Sequence, residues 1–345
     1  MSVLHVHGDG SDLSSCAQVI PAPPSAMGRP WAFSRLLLQA VSAALLRLRD
    51  DGGVAHVHGV WCAPQFATCL MAARDGVPSV LTVHGMMEPW LWNEQGPLIH
   101  WKKRLYWRFA GASSLRRATA IHAITPLEQN HLRALFPRNE IVVIPNAVEL
   151  DDEDSRSLAP SPVRVILFLG RLEPKKGVDI LINAFAASGL SRDWLLQIAG
   201  PAWSPRYAEQ LTRIAAASGM RDRIQFLGPV AGAEKARLLA NAWVLVAPSH
   251  SEVAGLVNLE AAARGLPSIT TFETGLYDWQ DGGGMLVHPT VDAVAAALIA
   301  AARWDDSERR ERGIQSRALV ARRYSWEAVM PLWLQLYSHL RAQSI

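Results

Sequence analysis

Hydrophobic positions along this chain fall in two alternating textures. Short runs rich in Val, Ile and Leu give way to longer stretches in which apolar residues recur with helical period, which is the arrangement that builds βα units and parallel sheets. In the first half the pattern predicts strands at 3–7, 54–58, 79–83, 120–123 and 141–144, with helices near 31–48, 64–75, 98–117 and 126–135. Segment 151–162, DDEDSRSLAPSP, holds almost nothing that fills a core and reads as a linker. The pattern then restarts with strands at 163–169, 195–199, 224–227, 244–247 and 268–271, and with helices between them, the first running from 178 to 187. A last helical segment carries Val329, Trp333, Leu336, Tyr337 and Leu340 on one face. The expected organisation is two Rossmann-like domains, 1–155 and 163–322, followed by a C-terminal helical piece, 323–345.

Composition narrows the function classes. With 50% hydrophobic and 19% charged residues, 345 residues can bury two cores. A net charge of +3 over that length supplies no dense basic stripe, so nucleic acid is not an expected partner. The three cysteines, Cys16, Cys62 and Cys69, have neither paired count nor zinc-finger spacing, which fits a reducing cytoplasm. No stretch is apolar for long enough to span a bilayer, and residues 1–30 lack the features of a signal peptide. The expected location is the cytoplasm, in solution or on the inner face of the cytoplasmic membrane.

In an open parallel sheet, ligands bind beyond the carboxyl ends of the strands, so the loops there are where chemistry is sought. The loop GRLEPKKG sets Arg171 and Lys176 directly after a buried strand. Arg offers a planar fork and Lys a compact charge, both suited to a diphosphate, although any surface loop can carry two solvated cations. The later segment SHSEVAGLVNLEAAARGLPSI holds Glu252 and Glu260, eight residues apart, roughly 12 Å at helical rise. That is too far to flank one bond and suits two grips on a long ligand. Carboxylates accept hydrogen bonds from paired hydroxyls; Gly255 allows close backbone approach, and a helix N-terminus at Leu256 and Val257 offers N–H groups to a phosphate.

Together, GR-x4-KG, E-x7-E and the G-x-P at Gly265–Pro267 resemble the retaining GT-B glycosyltransferases of family four, the glycosyl transferases group 1, over nearly all of 54–340. The resemblance implies an α/β fold with two Rossmann-like domains facing a central cleft and a C-terminal helix packing back toward the N-terminal domain. It implies that Arg171 and Lys176 neutralise the diphosphate of a UDP- or GDP-sugar donor, that Glu252 contacts the transferred sugar, and that Glu260 binds ribose hydroxyls. In similar proteins the segment RIQFLGPV, with Gly228, lines the nucleobase. No cofactor is implied, and the Asp152-Glu153-Asp154 string, which fits the D-x-D of metal-dependent enzymes, lies in the polar linker without a strand to present it.

The first half carries His56, His58 and His84 at the ends of expected strands. His56 and His58 share a strand face and would make half of a metal site, but no third ligand with convincing spacing appears. Structural and acceptor-side roles stay open for both. The resemblance sets His84 beside the donor sugar. Residues 101–117, WKKRLYWRFAGASSLRR, mix cations with aromatics on one expected helix, which reads either as a peripheral membrane contact or as an ordinary amphipathic helix. The opening βα unit looks shortened against the family pattern, because 13–30 holds several prolines and no helical period.

The expected activity is transfer of a sugar, with retained configuration and no metal, to a glycan or lipid-linked acceptor in cell-surface polysaccharide synthesis: lipopolysaccharide, O-antigen or exopolysaccharide. Two rivals share the scaffold: a nucleotide-sugar epimerase, and a non-catalytic partner subunit that binds donor without consuming it.

Overall fold

A computed structural model describes residues 2–5, 18–21, 35–93, 96–150 and 163–343. Cys16, the linker 151–162 with Asp152, Glu153 and Asp154, and most of the proline-rich stretch 13–30 lie outside the described residues. The chain divides into two compact units, residues 1–144 with 332–345, and residues 145–331.

The first unit opens with strands β1 (Ser2–His5) and β2 (Gln18–Pro21), which pair in parallel with Ser2 opposite Gln18. Helix α1 (Arg35–Asp50) follows, then β3 (Ala55–His58), α2 (Ala63–Arg74), β4 (Ser79–Thr82), α3 (Pro89–Asn93), α4 (Pro97–Tyr106), α5 (Ala112–Leu115), β5 (Ala120–Ala123), α6 (Pro126–Leu135) and β6 (Glu140–Val143). Strands β3 to β6 form one parallel sheet in sequence order. Every residue of β4 and β5 is buried, as expected of strands covered on both faces. Helix α1 contributes Leu37, Val41 and Leu45, spaced one helical turn apart so that they share a face, and all three are buried. The last two pack with Ala55, Ala72 and Val77.

Where the sequence predicts one helix over 98–117, α4 and α5 are joined by a π-helical turn, Trp107–Gly111. Gly111 ends this turn beside two aromatic rings: a Cβ there would lie 3.1 Å from ring atoms of both Tyr106 and Trp107, so a larger residue would have to push them aside.

The second unit runs β7 (Arg164–Leu169), α7 (Val178–Ala187), β8 (Trp194–Ala199), α8 (Pro205–Ala217), β9 (Ile224–Gly228), α9 (Gly232–Asn241), β10 (Val244–Ala247), α10 (Leu256–Ala263), β11 (Ser268–Thr271), β12 (Met285–Val287), α11 (Val291–Ala302), α12 (Asp306–Arg323) and α13 (Trp326–Ala342). Its six strands are all parallel, in the order β12-β11-β10-β7-β8-β9. Phe168, Ile198 and Val246 from the strands pack with Leu181 and Phe185 of α7 and with Leu298 of α11. Helix α13 carries an internal proline, Pro331, and from Leu332 onward its residues count with the first unit. Among the described residues no helix is long and apolar enough to cross a membrane.

Candidate functional site

The second sheet runs outward in one direction from β7 through β8 to β9, and in the other from β10 through β11 to β12. The chain therefore reverses between β7 and β10, and at such a switch point the loops beyond the strand ends part to leave a ligand crevice. The loop after β7 holds Arg171 and Lys176, and the loop after β10 holds Glu252 and Gly255. The two loops are stitched together. The His250 N–H donates to the Lys175 carbonyl (2.8 Å), and Gly177, at φ 65°, lies so close to Pro248 that a Cβ would fall 2.2 Å from its carbonyl oxygen. Lys176 and Glu252 meet in a direct ion pair, each mostly shielded from solvent, with the Ser249 hydroxyl 3.4 Å from the same carboxylate oxygen.

Arg171 stands apart from that pair. Its guanidinium lies 3.1 Å from Glu173, a carboxylate also 3.6 Å from Lys175, and its side chain is 59% exposed. Glu173 itself is buried and keeps Lys175 as a second cation, so the solvent-facing Arg171 fork can turn toward another anion without leaving that carboxylate unpaired. Glu260 lies one turn into α10 and pairs with Lys235 of α9 at 2.7 Å. The helical-rise reading of the Glu252–Glu260 spacing is corrected here. The segment is helical only from Leu256, and Glu252 sits on the preceding loop.

Gly255 caps α10 at φ 50°, where a Cβ would fall 2.7 Å from the Asn258 amide. Asn258 is fully buried, donating to Thr270 (3.1 Å) and accepting from Ser268 (2.9 Å), and this pins the first turn with Leu256 and Val257 against β11. Gly228 ends β9 at φ 73°, accepts a hydrogen bond from the Gly200 N–H (2.7 Å), and has open space where a Cβ would stand. The carboxyl end of the sheet thus presents Glu252 after β10 and Arg171 and Lys176 after the neighbouring β7, with Gly228 at the end of β9, one strand beyond β8. Lys235, Asn258 and Ser249 escaped the sequence reading; nothing local marks Lys235 as the partner of Glu260 or Asn258 as the partner of Ser268 and Thr270.

The first unit gathers four histidines where β3, β4 and β5 end. His122 Nε2 faces the Ile144 carbonyl (2.7 Å), a pure acceptor, so that nitrogen carries the proton. The rest follows in order: the Thr82 hydroxyl donates to His122 Nδ1 (2.9 Å), His56 Nε2–H donates to Thr82 (2.6 Å), and the Tyr337 hydroxyl donates to His56 Nδ1 (2.7 Å). Burial, with neighbouring histidines adding to it, pulls the pKa of His56 down to about 3. It lowers those of His58 and His122 to about 4, and that of His84 below its usual value. All four rings are therefore neutral at physiological pH. The half-metal-site reading of His56 and His58 finds no support in this arrangement, because His56 spends both nitrogens on hydroxyls. Among the described residues no cluster of three or more His, Cys, Asp or Glu could hold a metal.

His84 follows β4 at φ 54°, the only non-glycine with positive φ among the described residues. Such backbone strain persists where surrounding structure over-determines it. Here the buried Glu128 carboxylate accepts from the Gly85 N–H (2.6 Å) and from the Ile124 N–H (2.7 Å), tying the turn to the end of β5.

Residues 4–147 match the family model described as glycosyl transferase 4-like domain, and residues 151–317 match glycosyl transferases group 1. The chain is 32% identical to a D-inositol 3-phosphate glycosyltransferase of Actinosynnema mirum, over 88% of this chain and 78% of that protein. It is 31% identical to a phosphatidyl-myo-inositol mannosyltransferase of Mycobacterium leprae, over 94% and 82%. Among solved structures it resembles a glycosyltransferase from Rickettsia africae (TM-score 0.76, 18% identity, 98% of this chain and 89% of that one). It also resembles HepE of Anabaena in complex with UDP and glucose (TM-score 0.73, 18% identity, 98% and 91%).

Proposed function

The chain belongs to the glycosyl transferases group 1 family of GT-B glycosyltransferases, and from that premise we propose that it moves a sugar, with retained configuration, from a UDP- or GDP-sugar to a hydroxyl of a glycan or lipid-linked acceptor in cell-surface polysaccharide synthesis. The observation that carries this reading is the Lys176–Glu252 pair across two stitched loops at the sheet's switch point, with Arg171 on the first of those loops.

In this reading the acceptor hydroxyl attacks the anomeric carbon from the face that the nucleoside diphosphate leaves. Negative charge grows on the departing phosphate as that bond breaks. Arg171, Lys176 and the first turn of α10 stand ready for it, so they stabilise the transition state more than the bound donor. The leaving phosphate oxygen takes the acceptor proton. Glu252 holds the transferred sugar, Glu260 the ribose, Gly228 borders the base, and His84 meets a sugar hydroxyl. Charge compensation by Arg171 and Lys176 is the part that a metal plays in other glycosyltransferases.

One surface favours an acceptor anchored in lipid, the class that a phosphatidylinositol-directed relative also suggests. Trp101, Leu105 and Phe109 are exposed on α4 and its π turn, Trp101 at 60% and Phe109 at 71%, with the exposed cations Lys102, Arg104 and Arg108 interleaved. Aromatic rings at headgroup depth beside cations suit an anionic bilayer surface.

The test is turnover of a nucleotide-sugar panel with candidate acceptors, read by product NMR. A glycoside with the donor's anomeric configuration supports the proposal. Free nucleotide with an epimerised sugar and no acceptor requirement supports the epimerase, and donor binding without any consumption supports a partner subunit.

A further inference from the structure

We infer that His58 is the positioning residue for His84: its Nδ1 takes the proton that His84 Nε2 carries, which leaves His84 Nδ1 as a bare acceptor for a hydroxyl of the donor sugar. The inference rests on the reading that His84 contacts the donor. It goes further, because it assigns His58 a part and fixes what His84 can recognise.

The two facing nitrogens are 2.8 Å apart and the rings are stacked, centroids 5.1 Å apart and planes 22° from parallel. A separation of 2.8 Å between neutral imidazoles requires one bridging proton. His56 cannot compete for it. Both its nitrogens are engaged, by Tyr337 and by Thr82, and it braces His58 from the other side by stacking at 4.2 Å. The backbone of His58 is fixed as well, since its carbonyl accepts from the Gln65 amide (3.1 Å) and the next N–H, of Gly59, donates to Thr82 (2.9 Å). On the other side Glu128 clamps the turn behind His84. Each ring of the pair is thus held by elements that do not depend on the pair itself.

Two proton arrangements satisfy the bridge. If His58 Nδ1 donates, both rings must adopt the Nδ1–H tautomer. If His84 Nε2 donates, both rings adopt Nε2–H, the form a neutral histidine side chain prefers, and no other hydrogen bond among the described residues opposes it. The second arrangement therefore holds. Burial lowers the pKa of both imidazoles, with the neighbouring His84 ring adding to it at His58, so both stay uncharged near neutrality and the bridge stays a neutral one. The consequence is specificity: an uncharged ring offering a lone pair accepts from O–H or N–H and repels a carboxylate or carbonyl oxygen at the same place on the sugar.

The test reads ring nitrogens directly. In uniformly 15N-labelled protein at neutral pH, long-range 1H–15N spectra assigned by single substitutions are expected to show His84 with a pyrrole-type Nε2 and a pyridine-type Nδ1. His58→Phe keeps a stacking ring without nitrogen, and His84 then averages between tautomers; His58→Asn returns an acceptor oxygen near the Nδ1 position and restores the single form. Alongside, release of nucleoside diphosphate from UDP-glucose or GDP-mannose is expected to lose about tenfold in kcat for His58→Phe with KM within about twofold, and to recover most of it for His58→Asn. An Nδ1–H tautomer on His84 in the wild type, or an unchanged His84 spectrum in His58→Phe, overturns the inference. Should His58→Phe fail to fold, the wild-type tautomer alone decides. If the tautomers behave as expected while neither nucleotide sugar binds the wild type, the pairing stands and the donor reading of His84 falls.

Discussion

Gly177 and Pro248 belong to different loops yet stand in contact, and Lys176 owes its place to that contact. A Cβ on Gly177 would strike the Pro248 carbonyl at 2.2 Å, on a backbone at φ 65° that other residues resist. Gly177→Ala is therefore expected to destabilise the protein by about 2–4 kcal/mol, seen as a lowered midpoint in urea unfolding. The histidine cluster makes a second prediction at this scale. The folded pKa values of His56, His58 and His122 lie near 3 to 4, below the 6.5 of an exposed imidazole. Between those limits the unfolded chain binds more protons than the folded one, so stability rises with pH across that window. It is complete above about pH 6.5 and is lost as pH falls toward 4. His58, His84, His122 and the Tyr337 hydroxyl are the titratable groups facing His56. The melting temperature is expected to fall steeply from pH 7 to pH 4.5, and His56→Phe, although less stable, to give a shallower slope.

Among elements, the end of α13 shows how tertiary partners complete a local pattern. Trp333 lays its ring 4.5 Å from His122 and 5.1 Å from His56, and stacks on Tyr337. Trp333→Ala is expected to cost about 2–4 kcal/mol and to speed hydrogen exchange in β3 and β5 more than in the strands of the second unit. The apolar face of this helix was legible in the sequence, because Val329, Leu336 and Leu340 keep helical period; its partners were not. The same division runs through the molecule. Strands such as β10 and β11 are plain in the sequence, since burial on both faces demands an unbroken run of small and apolar residues. β12 escaped, being three residues long, and β2 (QVIP) escaped because it ends on a proline within a proline-rich stretch that masks the strand pattern. The π turn, where Gly111 sits against the rings of Tyr106 and Trp107, has no signature in the helical period. The site's cations and carboxylates were legible from their positions after strands, but the pairing of Lys176 with Glu252 joins residues 76 positions apart and no local pattern encodes it.

For the whole molecule, a net charge of +3 hides a local asymmetry on α4, where cations and exposed aromatics share one surface. If that surface meets lipid, the protein floats with anionic vesicles and not with neutral ones, and the paired change Trp101→Ala and Phe109→Ala lowers the bound fraction at least severalfold. Equal flotation with both vesicle types contradicts the membrane reading while leaving the donor reading untouched. The family, the parallel sheets and the loops at the switch point all bear on one proposal, that the second unit grips a nucleoside diphosphate with Arg171 and Lys176 and a ribose with Glu260. Calorimetric titration with UDP and GDP tests it most directly. Each lost charge-assisted contact is worth about 1.5–3 kcal/mol, so Arg171→Ala and Glu260→Ala should each weaken the preferred nucleotide by roughly tenfold to a hundredfold while the fold melts as before. Unchanged affinity in both variants, or no binding of either nucleotide by the wild type, would contradict it.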